Sequence, residues 1–168
     1  MPAPRSPAQV ISTGLEPVSG PDPEILILGS FPGRISLRDT AYYGNPRNHF
    51  WMVMEAVFGI DAGLPYDERI ARVKEHRLAL WDVVGSCRRP GSADTRIADP
   101  AFNDIAGFVR ARPALRLVAL NGSTAGRYYR RISGSIPLPY VILPSTSPAN
   151  AGMTPEEKIR RWSVLADG

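Results

Sequence analysis

The chain is poor in thiols, imidazoles and ammonium groups. Its 168 residues include one cysteine, Cys87, two histidines, His49 and His76, and two lysines, Lys74 and Lys158. One cysteine excludes an internal disulfide, a four-cysteine zinc site and a cysteine-ligated iron–sulfur cluster. Two histidines are too few for a multi-histidine metal site, so no metal or other cofactor is expected. No stretch approaches the ~20 consecutive apolar residues of a membrane span. The Pro-, Ser- and Gly-rich segment Met1–Pro23 lacks the apolar core of a secretory signal. It is read as a loose leader (residues 1–23) before a single domain (residues 24–168), with a cytoplasmic address and no membrane partner.

Composition is otherwise that of a globular protein: 43% hydrophobic and 21% charged. A chain of this length buries roughly 70% of its unfolded surface, enough for a core without covalent staples. The net charge is +4, and all the basic residues except the two lysines are arginine. Arginine suits bidentate phosphate contacts, so an anionic partner is expected. A genome that writes arginine for lysine would leave the same excess, and charge alone does not decide.

From Glu24 onwards apolar runs alternate with amphipathic stretches. Strands are predicted at Ile25–Leu28, Leu78–Val84, Leu115–Leu120 and Tyr140–Leu143. Helices are predicted at Asn48–Phe58, Tyr66–Arg77, Pro100–Arg112, Ser123–Ile132 and Thr154–Ala166. Both lysines fall on helix faces read as solvent-exposed. The alternation predicts an α/β fold, a three-layer α/β/α sandwich around a central four-stranded, mostly parallel sheet. Ligands of such sheets bind beyond the carboxyl ends of the strands. Four segments follow those ends: Gly29–Asn48, Gly85–Asp94, Asn121–Gly126 and Pro144–Gly152.

The first segment holds Gly29-Ser30-Phe31-Pro32-Gly33, whose glycines admit close approach to a flat ring or an anion. It is not a P-loop, for the Gly-Lys-Ser/Thr ending is missing. Tyr42 and Tyr43 follow, placed to stack on a base, whereas Phe50 and Trp51 have core spacing. In the second segment Arg88 and Arg89 are read as a phosphate contact on a loop. In the third, the Asn121 amide matches the edge of a lactam base or caps the next helix. Gly122-Ser123-Thr124-Ala125-Gly126 mimics a nucleophile elbow, but both histidines lie upstream of it, so an α/β-hydrolase triad is rejected. In the fourth, the hydroxyls of Ser145, Thr146 and Ser147, with Asn150, are suited to gripping a phosphate backbone.

Together these segments resemble the uracil-DNA glycosylase superfamily. Gly29–Gly33 stands at its first motif, Pro46-Arg47-Asn48-His49-Phe50-Trp51 is similar to its Pro-x-Asn-x-Phe-Trp stretch, and Pro144-Ser145 fits its second motif. The hypoxanthine-DNA glycosylase branch is matched further in Tyr42–Trp51, Leu80–Ser92 and Leu143–Ala149. The resemblance implies a DNA repair enzyme, expected as a monomer without metal; with Lys74 and Lys158 on faces read as exposed, no Schiff-base nucleophile is expected and the enzyme would be monofunctional. It would hydrolyse the N-glycosidic bond of a flipped deaminated base, uracil or hypoxanthine, in DNA. It implies Asn48 as the group orienting water, because Phe31 replaces the usual Asp or Asn of the first motif. His49 is a candidate leaving-group donor. Gly29, Ser30, Phe31, Pro32, Tyr43 and Asn121 would hold the base. Arg47, Arg88, Arg89, Ser145, Thr146, Ser147 and Asn150 would hold the DNA. Phe31 at the usual catalytic position also leaves open a binding module without catalysis.

Overall fold

The structure, a computed structural model, describes residues 11–89 and 97–167. In chain order the elements are β1 (Ile11–Thr13), β2 (Ile25–Gly29), α1 (Arg34–Asp39), α2 (Phe50–Phe58), α3 (Tyr66–Glu75), β3 (Leu78–Asp82) and β4 (Val84–Arg88). Then come β5 (Ala98–Phe102), α4 (Ile105–Arg110), β6 (Leu117–Asn121), α5 (Ser123–Arg130), β7 (Tyr140–Leu143) and α6 (Pro155–Trp162), with short 3-10 turns at Ser133–Ser135 and Ser163–Ala166.

Strands β3-β2-β6-β7 form the central sheet in that order, every neighbouring pair parallel. All five residues of β2 are buried, as a strand covered on both faces requires. The pleat sends its side chains alternately to two cores. Leu26 and Leu28 join Val118, Leu120, Phe108 and Tyr129 beneath α4 and α5. Ile25 and Ile27 join Leu78, Leu80, Phe50, Met54 and Trp162 beneath α2 and α6. Fully burying each such side chain contributes ~1.5–3 kcal/mol, and two cores this size hold the three layers together.

Local chemistry sets the helix ends. Thr154 accepts the Glu157 amide at 3.2 Å with Pro155 at the first helical position, so α6 starts where the sequence places its cap. Asp104 caps α4 through the Gly107 amide at 2.9 Å. This moves the helix expected at Pro100–Arg112 to a later start. Pro100–Phe102, assigned to that helix, instead belongs to strand β5, and Gly85–Arg88, expected in a loop, belongs to β4. Strands β1-β4-β5 make a small antiparallel sheet. Pro100 is tolerated because β5 is an edge. The strand expected at Leu78–Val84 therefore divides at Val83, where the Val83 and Val84 amides turn to the Gly29 and Ser30 carbonyls.

Residues 11–23 differ from the expected loose leader. Strand β1 pairs with β4, the Gly14 amide bonds Gly85, and Val18 exchanges two backbone hydrogen bonds with Leu80. The Tyr42 hydroxyl donates to the Glu16 carbonyl at 2.7 Å. Residues 1–10 lie outside the described residues. No helix among the described residues is long and apolar enough to cross a membrane.

Lys158, expected on an exposed face, is covered to within 1%. It shares an inward stripe with Trp162 of α6 and Leu165 of the following 3-10 turn. Burial holds its ammonium below the usual lysine range. The unfolded chain thus binds this proton more tightly, so the buried charge costs stability below the depressed pKa. That cost fades as pH rises towards the ordinary lysine value. Lys158→Met keeps the stem and removes the charge. It is expected to melt at or above the parent temperature at neutral pH, with the gap closing in alkali. Thermal denaturation across pH checks this, and a melting point well below the parent's at neutral pH contradicts it.

Candidate active site

The strands of the central sheet end in one row. Gly29 pairs with Asp82, Leu28 with Leu120, and Asn121 with Leu143. Asp82, Gly29 and Asn121 are therefore level across β3, β2 and β6, on the face that carries α2 and α6. Between its two polar neighbours Gly29 leaves a gap. A β-carbon there would sit 2.5 Å from Oδ1 of Asp82 and 3.4 Å from the Tyr43 hydroxyl. The missing side chain thus leaves room for a carboxylate and a phenol side by side at the end of β2.

Above this row opens a cavity of about 180 Å³. It is smaller than the ~300–1,000 Å³ pockets of drug-sized ligands, and suits one flat ring system. The loop Gly29–Arg34, Tyr43, Asn48, Asp82, Asn121 and the segment Ser145–Pro148 all contribute to its wall. Among the described residues, Asp82 is the single carboxylate in that wall, and it is 5% exposed. Burial foremost, and then the negative charge of Asp82, push the Tyr42 and Tyr43 phenols above the usual tyrosine range; the Asn121 amide partly offsets this for Tyr43.

Asn48 sits in the turn before α2, and its Oδ1 accepts the Phe50 amide at 2.9 Å. That bond caps the helix and leaves Nδ2 as the donating end. His49 does not line the cavity. Its ring Nδ1 faces Nζ of Lys158 at 3.2 Å, and its backbone amide donates to the Thr146 carbonyl at 2.9 Å. The expectation of a leaving-group donor at His49 therefore loses its geometry.

Asn121 is committed within the protein as well. Its Oδ1 accepts the Thr146 amide and its Nδ2 donates to the Thr146 hydroxyl, each at 3.0 Å. These two bonds to the Pro-Ser-Thr loop use part of the amide's capacity, and the side chain still lines the cavity. Thr146 is fully buried, so it braces that loop and does not grip DNA. Gly122 makes the close packing feasible, with a φ of +101° and a β-carbon position 2.9 Å from Cβ of Ser145. The Asn150 side chain likewise works inward, donating to the Ser145 carbonyl at 3.0 Å.

The aromatic residues divide. Tyr42 is buried, and the Tyr43 ring stacks on Phe50 at 3.8 Å between centroids. One face of Tyr43 is therefore spent, and its hydroxyl is buried over Gly29. Phe31 lines the cavity with its ring packed under the Arg89 guanidinium, 4.9 Å from the centroid. Arg89, expected to face DNA, is 6% exposed and donates to the Pro32 carbonyl. It holds the Phe31–Pro32 turn. Arg88 lies on the small sheet 3.6 Å from Asp99. Of the expected DNA contacts, Arg47 is exposed beside Asn48, while Ser145 and Ser147 line the cavity. Arg34, at the start of α1, adds a cation to the wall.

The site residue that sequence reasoning missed is Asp82. It closes the apolar run Leu78–Trp81, and its signal was a carboxylate at a buried strand's carboxyl end.

Comparison with known proteins agrees with this architecture. The profile of the uracil DNA glycosylase superfamily matches residues 17–166. Two curated relatives are each described as a hypoxanthine DNA glycosylase. The one from Methanosarcina acetivorans is 38% identical over 142 residues, 84% of this chain and 89% of the relative. The one from Methanosarcina barkeri is 39% identical over 116 residues, 68% of this chain and 73% of the relative. A solution NMR structure of a candidate uracil DNA glycosylase from Methanosarcina acetivorans superposes with a TM-score of 0.83 at 34% identity. It covers 94% of this chain and 98% of that one. The chain belongs to the uracil DNA glycosylase superfamily. It is a DNA glycosylase, a hydrolase that separates a base from its deoxyribose.

Gly29→Ala tests the shape of the site. Gly29 lies outside the left-handed region, so the backbone accepts alanine, but the new methyl must displace the Asp82 carboxylate. We expect a folded protein with base excision reduced about tenfold or more, as misplacing a reacting group does. Single-turnover excision beside a melting curve measures both, and parent-like excision would show that carboxylate placement is immaterial.

Proposed function

We propose that this glycosylase excises deaminated bases from DNA, hypoxanthine foremost, by orienting water with Asn48 while Asp82 selects the base. The observation that carries the reading is the carboxylate of Asp82 in the wall of a one-ring-system cavity, level with Gly29. Deamination turns adenine N1 from an acceptor into an N–H donor, and cytosine N3 likewise. A carboxylate accepts such an N–H and repels the lone pair of the normal base. The hypoxanthine DNA glycosylases among the relatives support the purine, and uracil offers the same N–H.

The base must leave the duplex to enter, at an unstacking cost of a few kcal/mol. Arg47, Ser145 and Ser147 at the rim meet the distorted backbone, and Phe31 faces the ring of the base. The bond breaks through an oxocarbenium-like sugar and an anionic base. The Nδ2–H of Asn48 holds the water oxygen and leaves a lone pair free to attack. An amide is no strong base at neutral pH, so rate comes from orientation and from the negative charge of the DNA phosphates near the sugar. Neither lysine lines the cavity: Lys158 is sealed beneath α6, and Lys74 is exposed on α3. Among the described residues a Schiff-base step therefore has no amine nucleophile in the wall, and the product is an abasic site. The enzyme acts as a cytoplasmic monomer on DNA without a metal.

Two variants test this on duplexes bearing one hypoxanthine, uracil or xanthine. Asn48→Ala should lose at least about a hundredfold in single-turnover rate, as removal of a water-orienting group does; near-parental cleavage of every substrate removes Asn48 from the mechanism. Asp82→Asn should lose about 10- to 100-fold on hypoxanthine and narrow the preference over adenine, because the amide can turn either a donor or an acceptor to the base. An unchanged profile would show that the base is read elsewhere. Strand nicking before alkali treatment would overturn the abasic-site product.

A further inference from the structure

The geometry points to Lys158 as a positioning residue that acts on the active site through His49. This rests on the catalytic assignment of Asn48 made above. Lys158 is covered to within 1% and lies on the face of α6 that packs α2. Among the described residues its hydrogen-bond partner is Nδ1 of His49 at 3.2 Å. The carboxylates of its own helix look elsewhere: Glu157 binds Arg160 and Arg161, and Glu156 is exposed. On α2, Glu55 is exposed.

An ammonium has three donors and no acceptor. Pairing with Nδ1 therefore requires a lone pair on that nitrogen and places the ring proton on Nε2. The same residue is fastened a second time by its backbone amide to the Thr146 carbonyl at 2.9 Å. His49 is thus clamped at ring and backbone, one residue after Asn48 and one before α2. The ring clamp comes from α6 and the backbone clamp from the loop that Asn121 braces. Between them they fix the turn that aims Nδ2 of Asn48. A buried charge spent on a neutral imidazole costs stability, which fits a positioning role better than a structural one.

Because Lys158 is sealed from solvent it cannot touch DNA, so its loss should act on rate and not on affinity. Lys158→Met is expected to lower single-turnover excision of hypoxanthine about tenfold, the loss of one charge-assisted hydrogen bond that holds a reacting group in place. Duplex affinity should change less than about twofold. In a His49→Ala background the same substitution should add less than about twofold, because the path it acts through is gone. Lys158→Gln, which keeps a donor, should recover part of the rate, and it carries the test if the methionine variant does not fold.

The direct readout is the His49 imidazole in ¹⁵N-histidine-labelled protein, with His76→Gln removing the other signal. The parent should show the Nε2–H tautomer at neutral pH, and Lys158→Met should shift both ring nitrogens. The inference is overturned by a parental Nδ1–H tautomer, by ring signals indifferent to Lys158→Met, by additive losses in the double variant, or by affinity falling in step with rate. A parent-like rate in Asn48→Ala would instead sink the catalytic assignment, and the imidazole spectrum would still decide whether Lys158 sets the ring.

Discussion

The working edge of the molecule depends on one side-chain amide. Asn121, at the last position of β6, forms a two-point hydrogen bond with Thr146, and Thr146 passes its carbonyl to the His49 amide. The end of a central strand, the loop after β7 and the turn before α2 are tied by three hydrogen bonds in series. Each of these segments comes from a different part of the chain, and each contributes to one cavity. A neutral hydrogen bond contributes about 0.5–1.5 kcal/mol net, while a buried amide stripped of its partner costs about 1–3 kcal/mol. The link is therefore stronger as a constraint than as a source of stability. Trp162 reinforces it by donating to the Pro144 carbonyl at 2.9 Å.

The cavity that follows keeps polar groups few and strictly placed. Gly29 contributes an absence, Asp82 a carboxylate, and Tyr43 a ring held by stacking on Phe50. Tyr43 itself has a φ of 55°, a conformation that costs a non-glycine residue of order 1 kcal/mol and persists where its surroundings impose it. Here the stack on Phe50 and the packing over Gly29 impose it. Arg89 plays the matching part on the other wall, fixing Phe31 from behind.

The parallel sheet was legible because each strand is a short unbroken apolar run, and because α6 announces its start with Thr154 and Pro155. The small sheet was not. Val84–Arg88 mixes glycine, serine and arginine, and Ala98–Phe102 carries Pro100 and two alanines, so neither has a period to detect. Of the cavity wall, Asn48 and the Gly29 loop were legible as strand-end residues from residue type and place. Asn121 was placed correctly, but its amide faces a threonine, because a side chain that can read a base can equally read a backbone. Arg89 was misjudged since a run of two arginines looks solvated, although one packs on Phe31. Lys158 was misjudged for a similar reason: its charge hid the stripe it shares with Trp162 and Leu165, three and four residues apart.

Val18 has a further meaning for the chain's behaviour outside its active site. Strand β3 is the outermost member of the central sheet on its side, with a row of backbone donors and acceptors facing away from β2. Val18 satisfies both groups of Leu80, and Leu15 accepts the Trp81 indole N–H at 3.2 Å. The segment before β2 therefore guards an edge that would otherwise offer itself to another chain. Trimming the protein to its apparent first strand would expose that edge beside Leu80 and Trp81, and so turn a harmless shortening into an invitation to aggregate.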